Sequence, residues 1–87
     1  MELKEYFIYD YYCDINGNIY SKKSGELKRL YPQGFLIYLY INGKTVKTTI
    51  GRFVLICWKP RIDFIYLKAK HIDGNNLNNK LENLEWI

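Results

Sequence analysis

Apolar and polar residues alternate most regularly between Gly34 and Ile50, in "GFLIYLYINGKTVKTTI". Phe35, Ile37, Leu39 and Ile41 fall on one side of an extended chain, and Leu36, Tyr38 and Tyr40 on the other. A period of two with this much β-branched and aromatic content predicts a strand. Both sides are apolar, so the strand is expected to be covered on both faces. Asn42-Gly43 then interrupts the run. A two-residue type I′ turn needs positive φ at both central positions, which Asn-Gly adopts readily, so the segment reads as a β-hairpin. The period changes in "TTIGRFVLICWKP", where Ile50, Phe53, Val54 and Cys57 sit at i, i+3, i+4 and i+7. That spacing predicts a short helix, capped by Thr48 or Thr49 and limited by Pro60. Gly51 inside it costs about 1 kcal/mol relative to Ala.

The flanking segments read less sharply. "YFIYDYYC" is an aromatic, β-prone strand, "DINGN" a turn cluster and "IYSKKSG" a short strand. "ELKRLYPQG" ends in a Pro-Gln-Gly bend, and "DFIYLKAK" reads as a strand leading into His71. The fold class expected is α+β: a small antiparallel β-sheet, one short helix and a terminal β-turn unit. Eighty-seven residues allow a single domain. Within it, residues 1–48 form a β-rich module, and residues 49–87 carry the helix and the closing unit.

Composition refines this picture in three ways. Nine tyrosines and two tryptophans supply core mass that so short a chain otherwise lacks, and Trp58 and Trp86 are expected in the core. A net charge of +4 points towards partners bearing phosphates or carboxylates. Cys13 and Cys57 lie in apolar stretches, as buried free thiols do, and a single histidine rules out a tetrahedral zinc set built on several. No run approaches the roughly 18 apolar residues of a membrane span, and the charged opening "MELKEYFIYDYY" is unlike a signal peptide, so a cytoplasmic protein is expected.

The candidate chemistry lies in the last eighteen residues, "KHIDGNNLNNKLENLEWI". His71-x-Asp73-Gly74-Asn75, Asn78-Asn79 and Asn83-Leu84, in this order, resemble the core of the HNH endonuclease family in its phage and intron homing-endonuclease branch. The preceding "GNIYSKKSGELKRL" and "GFLIYLYINGKTVKTTIGRFVLICWKP" are similar to the β-rich module and helix before that core. The resemblance covers about residues 15–87. It implies a ββα-metal unit, in which a histidine acts as general base on a water attacking phosphorus and one divalent ion stabilises the transition state.

Carried onto this sequence, His71 matches the general base. Asp73, Gly74, Asn75, Asn79, Asn83 and Leu84 match the turn and short helical segment that hold the loop. Arg52 matches the arginine of a His-Arg pair whose histidine is replaced by Gly51. Lys70 stands where a metal-ligating residue precedes the base, and the helix carrying a second ligand would follow Trp86. The implied unit is thus truncated and lacks both metal ligands. An ammonium about 4 Å from a divalent ion costs on the order of 8 kcal/mol at an effective dielectric near 20. Asp73 alone offers one oxygen, so weak or absent Mg²⁺ binding, no other cofactor and no catalytic residue are expected.

The function expected is therefore an inactive HNH-like protein that holds a phosphate-bearing ligand, nucleic acid or a nucleotide signal, without cleaving it. Lys70, His71, Arg52, Asp73, Asn75, Lys68 and Lys80 are the candidate ligand-binding residues, with Arg61 and Lys59 extending the positive field. Lys22, Lys23, Lys28 and Arg29 are weaker candidates for nucleic-acid contact, and exposed tyrosines could stack on bases. Two alternatives stay open. One is an anti-defence inhibitor of phage or mobile-element origin that binds a host defence protein, a step resting on analogy. The other is a nuclease whose site is completed across a homodimer. A structural reading also stands beside these: His71 bonded to a nearby acceptor, and Lys70 a solvated strand residue.

Overall fold

A computed structural model describes residues 2–87 of the chain; Met1, the first residue of the expected β-rich module, lies outside the described residues. Four short strands form an antiparallel meander in the order β1-β2-β3-β4: Lys4–Glu5, Tyr11–Cys13, Ile19–Ser21 and Lys28–Leu30. β5 (Leu36–Ile41) and β6 (Lys44–Thr49) make the expected hairpin, with Tyr38 opposite Lys47 and Leu39 opposite Val46. Asn42 and Gly43 take φ of 52° and 79°, as the type I′ turn requires.

The hairpin is covered on one side, not on both. Ile37 and Leu39 are buried, whereas Tyr38 and Tyr40 are 52% and 57% exposed. Aromatic strand residues do not by themselves report burial; here the phenol rings stand on the outer, wet face.

Helix α1 (Ile50–Trp58) starts where β6 ends. Thr49 is its N-cap, its Oγ1 accepting the Arg52 amide at 3.3 Å, and the chain leaves after Lys59, ahead of Pro60. Ile50, Gly51 and all of Phe53 to Cys57 are buried. The helix is hence enclosed on more than the single stripe read from its periodicity, and it serves as the hub of the fold. It packs against β1 and β2 on one side and β7 and β8 on the other. Tyr6 stacks parallel on Phe53, ring centroids 4.5 Å apart.

Two segments depart from the expected strands. In "YFIYDYYC" only Tyr11–Cys13 is strand, because Phe7 and Asp10 adopt left-handed backbone, with φ of 54° and 62°. The Asp10 amide donates to Glu5 Oε2 and the Tyr6 amide to the Tyr11 carbonyl, closing β1 onto β2. In "DFIYLKAK" the strand is limited to β7 (Ala69–His71), and Phe64–Tyr66 form a 3₁₀ turn. Arg52 takes the carbonyls of Phe64 and Leu67, at 2.9 and 2.7 Å, so those groups are unavailable to a sheet ladder. β8 (Leu84–Trp86) follows a 3₁₀ turn at Leu81–Asn83 and pairs antiparallel with β7, Lys70 opposite Glu85 and His71 opposite Leu84. Trp58 and Trp86 are partly buried against the core, their indole N–H groups donating to the Cys13 and Lys59 carbonyls.

Candidate nucleic-acid interface

The β7–β8 hairpin presents His71 to the N-terminal end of α1. The ring lies so close to the helix that a Cβ on Gly51 would stand 3.1 Å from His71 Cε1 and 3.2 Å from Leu84 Cδ2. Absence of a side chain at position 51 thus makes room for the imidazole. This is a physical reason for the glycine in place of the histidine that the resemblance implies there.

His71 Nε2 lies 2.7 Å from Asn79 Oδ1. Between these residues runs a tightly bonded loop. Asp73 Oδ1 accepts the Asn75 amide and Asn83 Nδ2, and its Oδ2 accepts Asn78 Nδ2, at 2.8, 2.9 and 2.8 Å. Asn83, itself buried, also donates to the Asn78 carbonyl and accepts the Asp73 amide. These bonds, led by that from Asn78, hold the Asp73 carboxyl below its ordinary range. Asparagine suits such a loop because one side chain both donates and accepts.

A cleft of about 400 Å³ opens beside the imidazole, lined by Phe35, Thr49, Gly51, Arg52, Lys68, Ala69, His71 and Asn76. Of the seven residues singled out from the sequence, the structure brings Arg52, Lys68 and His71 together here. Arg52 has a structural task as well, through the two carbonyls it binds and the Phe64 and Trp86 rings its guanidinium lies over. Lys70 alternates to the other face of the hairpin, with Nζ 3.5 Å from Glu85 Oε1. Asp73 and Asn75 belong to the exposed turn. Lys80 and Lys59 line a separate hollow with Ile15 and Leu81, and Arg61 forms a two-point ion pair with Asp63.

Sequence reasoning placed Asn79 among the loop scaffold and did not single out Asn76, Thr49 or Phe35 for the site. The first was visible through its place in the motif. Nothing in the local pattern of the other three marks them as cleft residues, because they come from three separate segments.

The residues present do not fit a divalent metal by themselves. Among the described residues no group of three or more His, Cys, Asp and Glu could hold one. Both oxygens of Asp73 are engaged by amide donors; the Lys70 ammonium faces Glu85 instead of the cleft, so the repulsion expected from it does not act there. Among the described residues no helix is long and apolar enough to cross a membrane.

No protein-family model matches the chain, and no curated protein does. Among solved structures, one reporting DNA binding and cleavage by the HNH homing endonuclease I-HmuI superposes with a TM-score of 0.81 at 33% identity. The alignment takes in 100% of this chain and 52% of that one, so the chain spans about half the length of its structural neighbour. The small antiparallel α+β architecture and the HNH resemblance carried by the closing residues are therefore both found in three dimensions. Over its whole length this chain has the fold of about half of an HNH homing endonuclease.

Proposed function

We propose that this chain is a nucleic-acid-binding unit of HNH type whose 87 residues hold a phosphate-bearing strand without hydrolysing it. The observation that carries the reading is the lining of the His71 cleft. Three basic residues, Arg52, Lys68 and His71, are among its lining residues, and no Asp or Glu is. Such a wall attracts an anion, and Arg52 and Lys68 suit a phosphate oxygen. It lacks the hard anionic oxygens that a magnesium ion requires. The likeness to half of a DNA-cleaving homing endonuclease favours nucleic acid over a free nucleotide as the ligand.

The test is binding of a short DNA duplex at several salt concentrations, with Lys68→Ala and a mononucleotide as comparisons. Affinity that falls steeply with salt, and less steeply in Lys68→Ala, supports a strand bound through its phosphates. Salt-insensitive binding of the mononucleotide would favour a nucleotide signal instead. If neither ligand binds, the reading fails and the protein-inhibitor alternative takes its place. Mg²⁺-dependent cleavage that disappears in His71→Ala would overturn the non-cleaving part and point to ligands supplied by a second subunit.

A further inference from the structure

The turn between β2 and β3 lies at the opposite end of the chain from the closing motif, yet it touches it. Asp14, 3% exposed, ties this turn down: its Oδ1 accepts the Asn16 and Asn18 amides at 2.9 and 3.0 Å, and its Oδ2 accepts Asn18 Nδ2 at 3.1 Å. Gly17, at the tip, has a φ of +84°, where an L side chain is strained. It also lies directly against the backbone of Asn79, since a Cβ there would stand 2.5 Å from the Asn79 carbonyl oxygen. Two residues on, the Leu81 amide donates to the Ile15 carbonyl at 2.8 Å.

Asn79 is buried, and both ends of its amide are assigned by their neighbours. Its Nδ2 donates to the Asn76 carbonyl at 3.3 Å, so its Oδ1 is the atom facing His71 Nε2 at 2.7 Å. An amide oxygen can only accept, so Nε2 carries the proton and the lone pair resides on Nδ1. We infer that the Asp14–Asn18 turn is a positioning device for His71: Gly17, pressed on the Asn79 main chain, holds the amide oxygen on Nε2 and keeps Nδ1 as the basic nitrogen. Gly17 and Asn79 are positioning residues, acting through the imidazole and not on a ligand. The inference deepens the reading of the His71 cleft, but its experiment observes the ring itself. A failure to bind nucleic acid would leave it standing.

His71 is the sole histidine of the sequence, so its ring gives an unambiguous nitrogen spectrum. The experiment is ¹H–¹⁵N correlation of histidine-labelled protein at about pH 8.5, some two units above the ordinary imidazole value. Wild type is expected to show a proton on Nε2, slowed in its exchange with water. In Asn79→Ala that exchange should be roughly two- to tenfold faster, the range that loss of one hydrogen bond allows. Asn79→Asp, which keeps an acceptor oxygen, should restore the slow exchange. Gly17→Ala should reproduce the Asn79→Ala spectrum in a folded protein, and the double variant should add nothing further, as expected of two residues acting in series. Should Gly17→Ala unfold the chain, Asp14→Asn loosens the same turn without adding atoms beside Asn79, and the same acceleration is expected. A wild-type ring protonated on Nδ1 would overturn the assignment. Folded turn variants whose ring signals match wild type would overturn the role of the turn.

Discussion

Asp73 is the most heavily bonded carboxylate of the closing loop, and its environment makes a prediction at the scale of one residue. The amide donors around it stabilise the ionised form, Asn78 most and then the Asn75 backbone and Asn83, so its folded pKa lies below the ordinary 3.8. A depressed folded pKa means that the unfolded chain binds the proton first as the solution is acidified. The stabilisation is present above about pH 3.8 and is lost as pH falls through the folded value. Thermal melts from pH 6 down to about pH 2 should show wild type losing stability across that acidic window. Asp73→Asn, which has no proton to gain, should lack that component of the slope. Equal acid slopes in the two proteins would mean that the loop bonds are too weak to discriminate between protonation states. The same residue bears on chemistry: a carboxylate that its loop has already satisfied is a poor metal ligand, whatever its distance from the histidine.

At the scale of an element, Arg52 decides the conformation of the segment between α1 and β7. Its two bonds reach carbonyls 12 and 15 residues ahead, and the guanidinium fork can meet both at once. A lysine has a single ammonium on a flexible stem. Arg52→Lys should therefore cost roughly 1.5–3 kcal/mol, the range for one charged hydrogen bond, measured by urea denaturation. It should also raise amide hydrogen exchange across residues 64–68 more than across α1. A neutral substitution would show that the rings of Phe64 and Trp86, not the carbonyl bonds, hold the arginine. This case also shows where sequence reading stops. The β5–β6 hairpin and the start of α1 were legible because period, turn chemistry and capping are all local to "LYINGKTVKTTI". The segment "DFIYLKAK" has the composition of a strand, yet an arginine on another element claims its backbone acceptors. "YFIYDYYC" departs from a strand in a similar setting, where Tyr6, beside the turn at Phe7 to Asp10, stacks on a helix residue 47 positions away. The candidate site divides in the same way. His71 and the asparagines were visible as an ordered motif within one short stretch. The Gly51 vacancy that accommodates the ring and the Gly17 contact with Asn79 depend on packing between distant segments, whereas Lys70 points away from His71 by the local alternation of a strand, in keeping with its reading as a solvated strand residue.

For the whole molecule, the question is whether the β-rich N-terminal part and the helix-plus-hairpin part are separable bodies. Helix α1 is shared between them, with sheet residues of β1 and β2 on one flank and β7 and β8 on the other. Bonds cross the same boundary, Trp58 to the Cys13 carbonyl and the Leu81 amide to Ile15. The free thiols Cys13 and Cys57 are both buried in this shared core, and the neighbouring Cys13 thiol, followed by burial, raises the Cys57 pKa. A raised thiol pKa keeps the folded protein protonated while the unfolded chain ionises. The associated stability is present below the ordinary value of 9.0 and declines as pH rises past it. Urea unfolding at about pH 8 should then be one cooperative transition. Tryptophan fluorescence, which reports Trp58 and Trp86, and reactivity of the thiols towards a disulfide reagent should share a midpoint, with neither thiol modified beforehand. A single transition would follow from a core that neither part can complete alone, and it would make the β2–β3 turn a permanent support of the His71 ring. Two transitions, or early modification of Cys13, would mean that the N-terminal sheet can leave α1 while the closing hairpin stays folded. His71 would then lose its Gly17 support whenever the sheet detached.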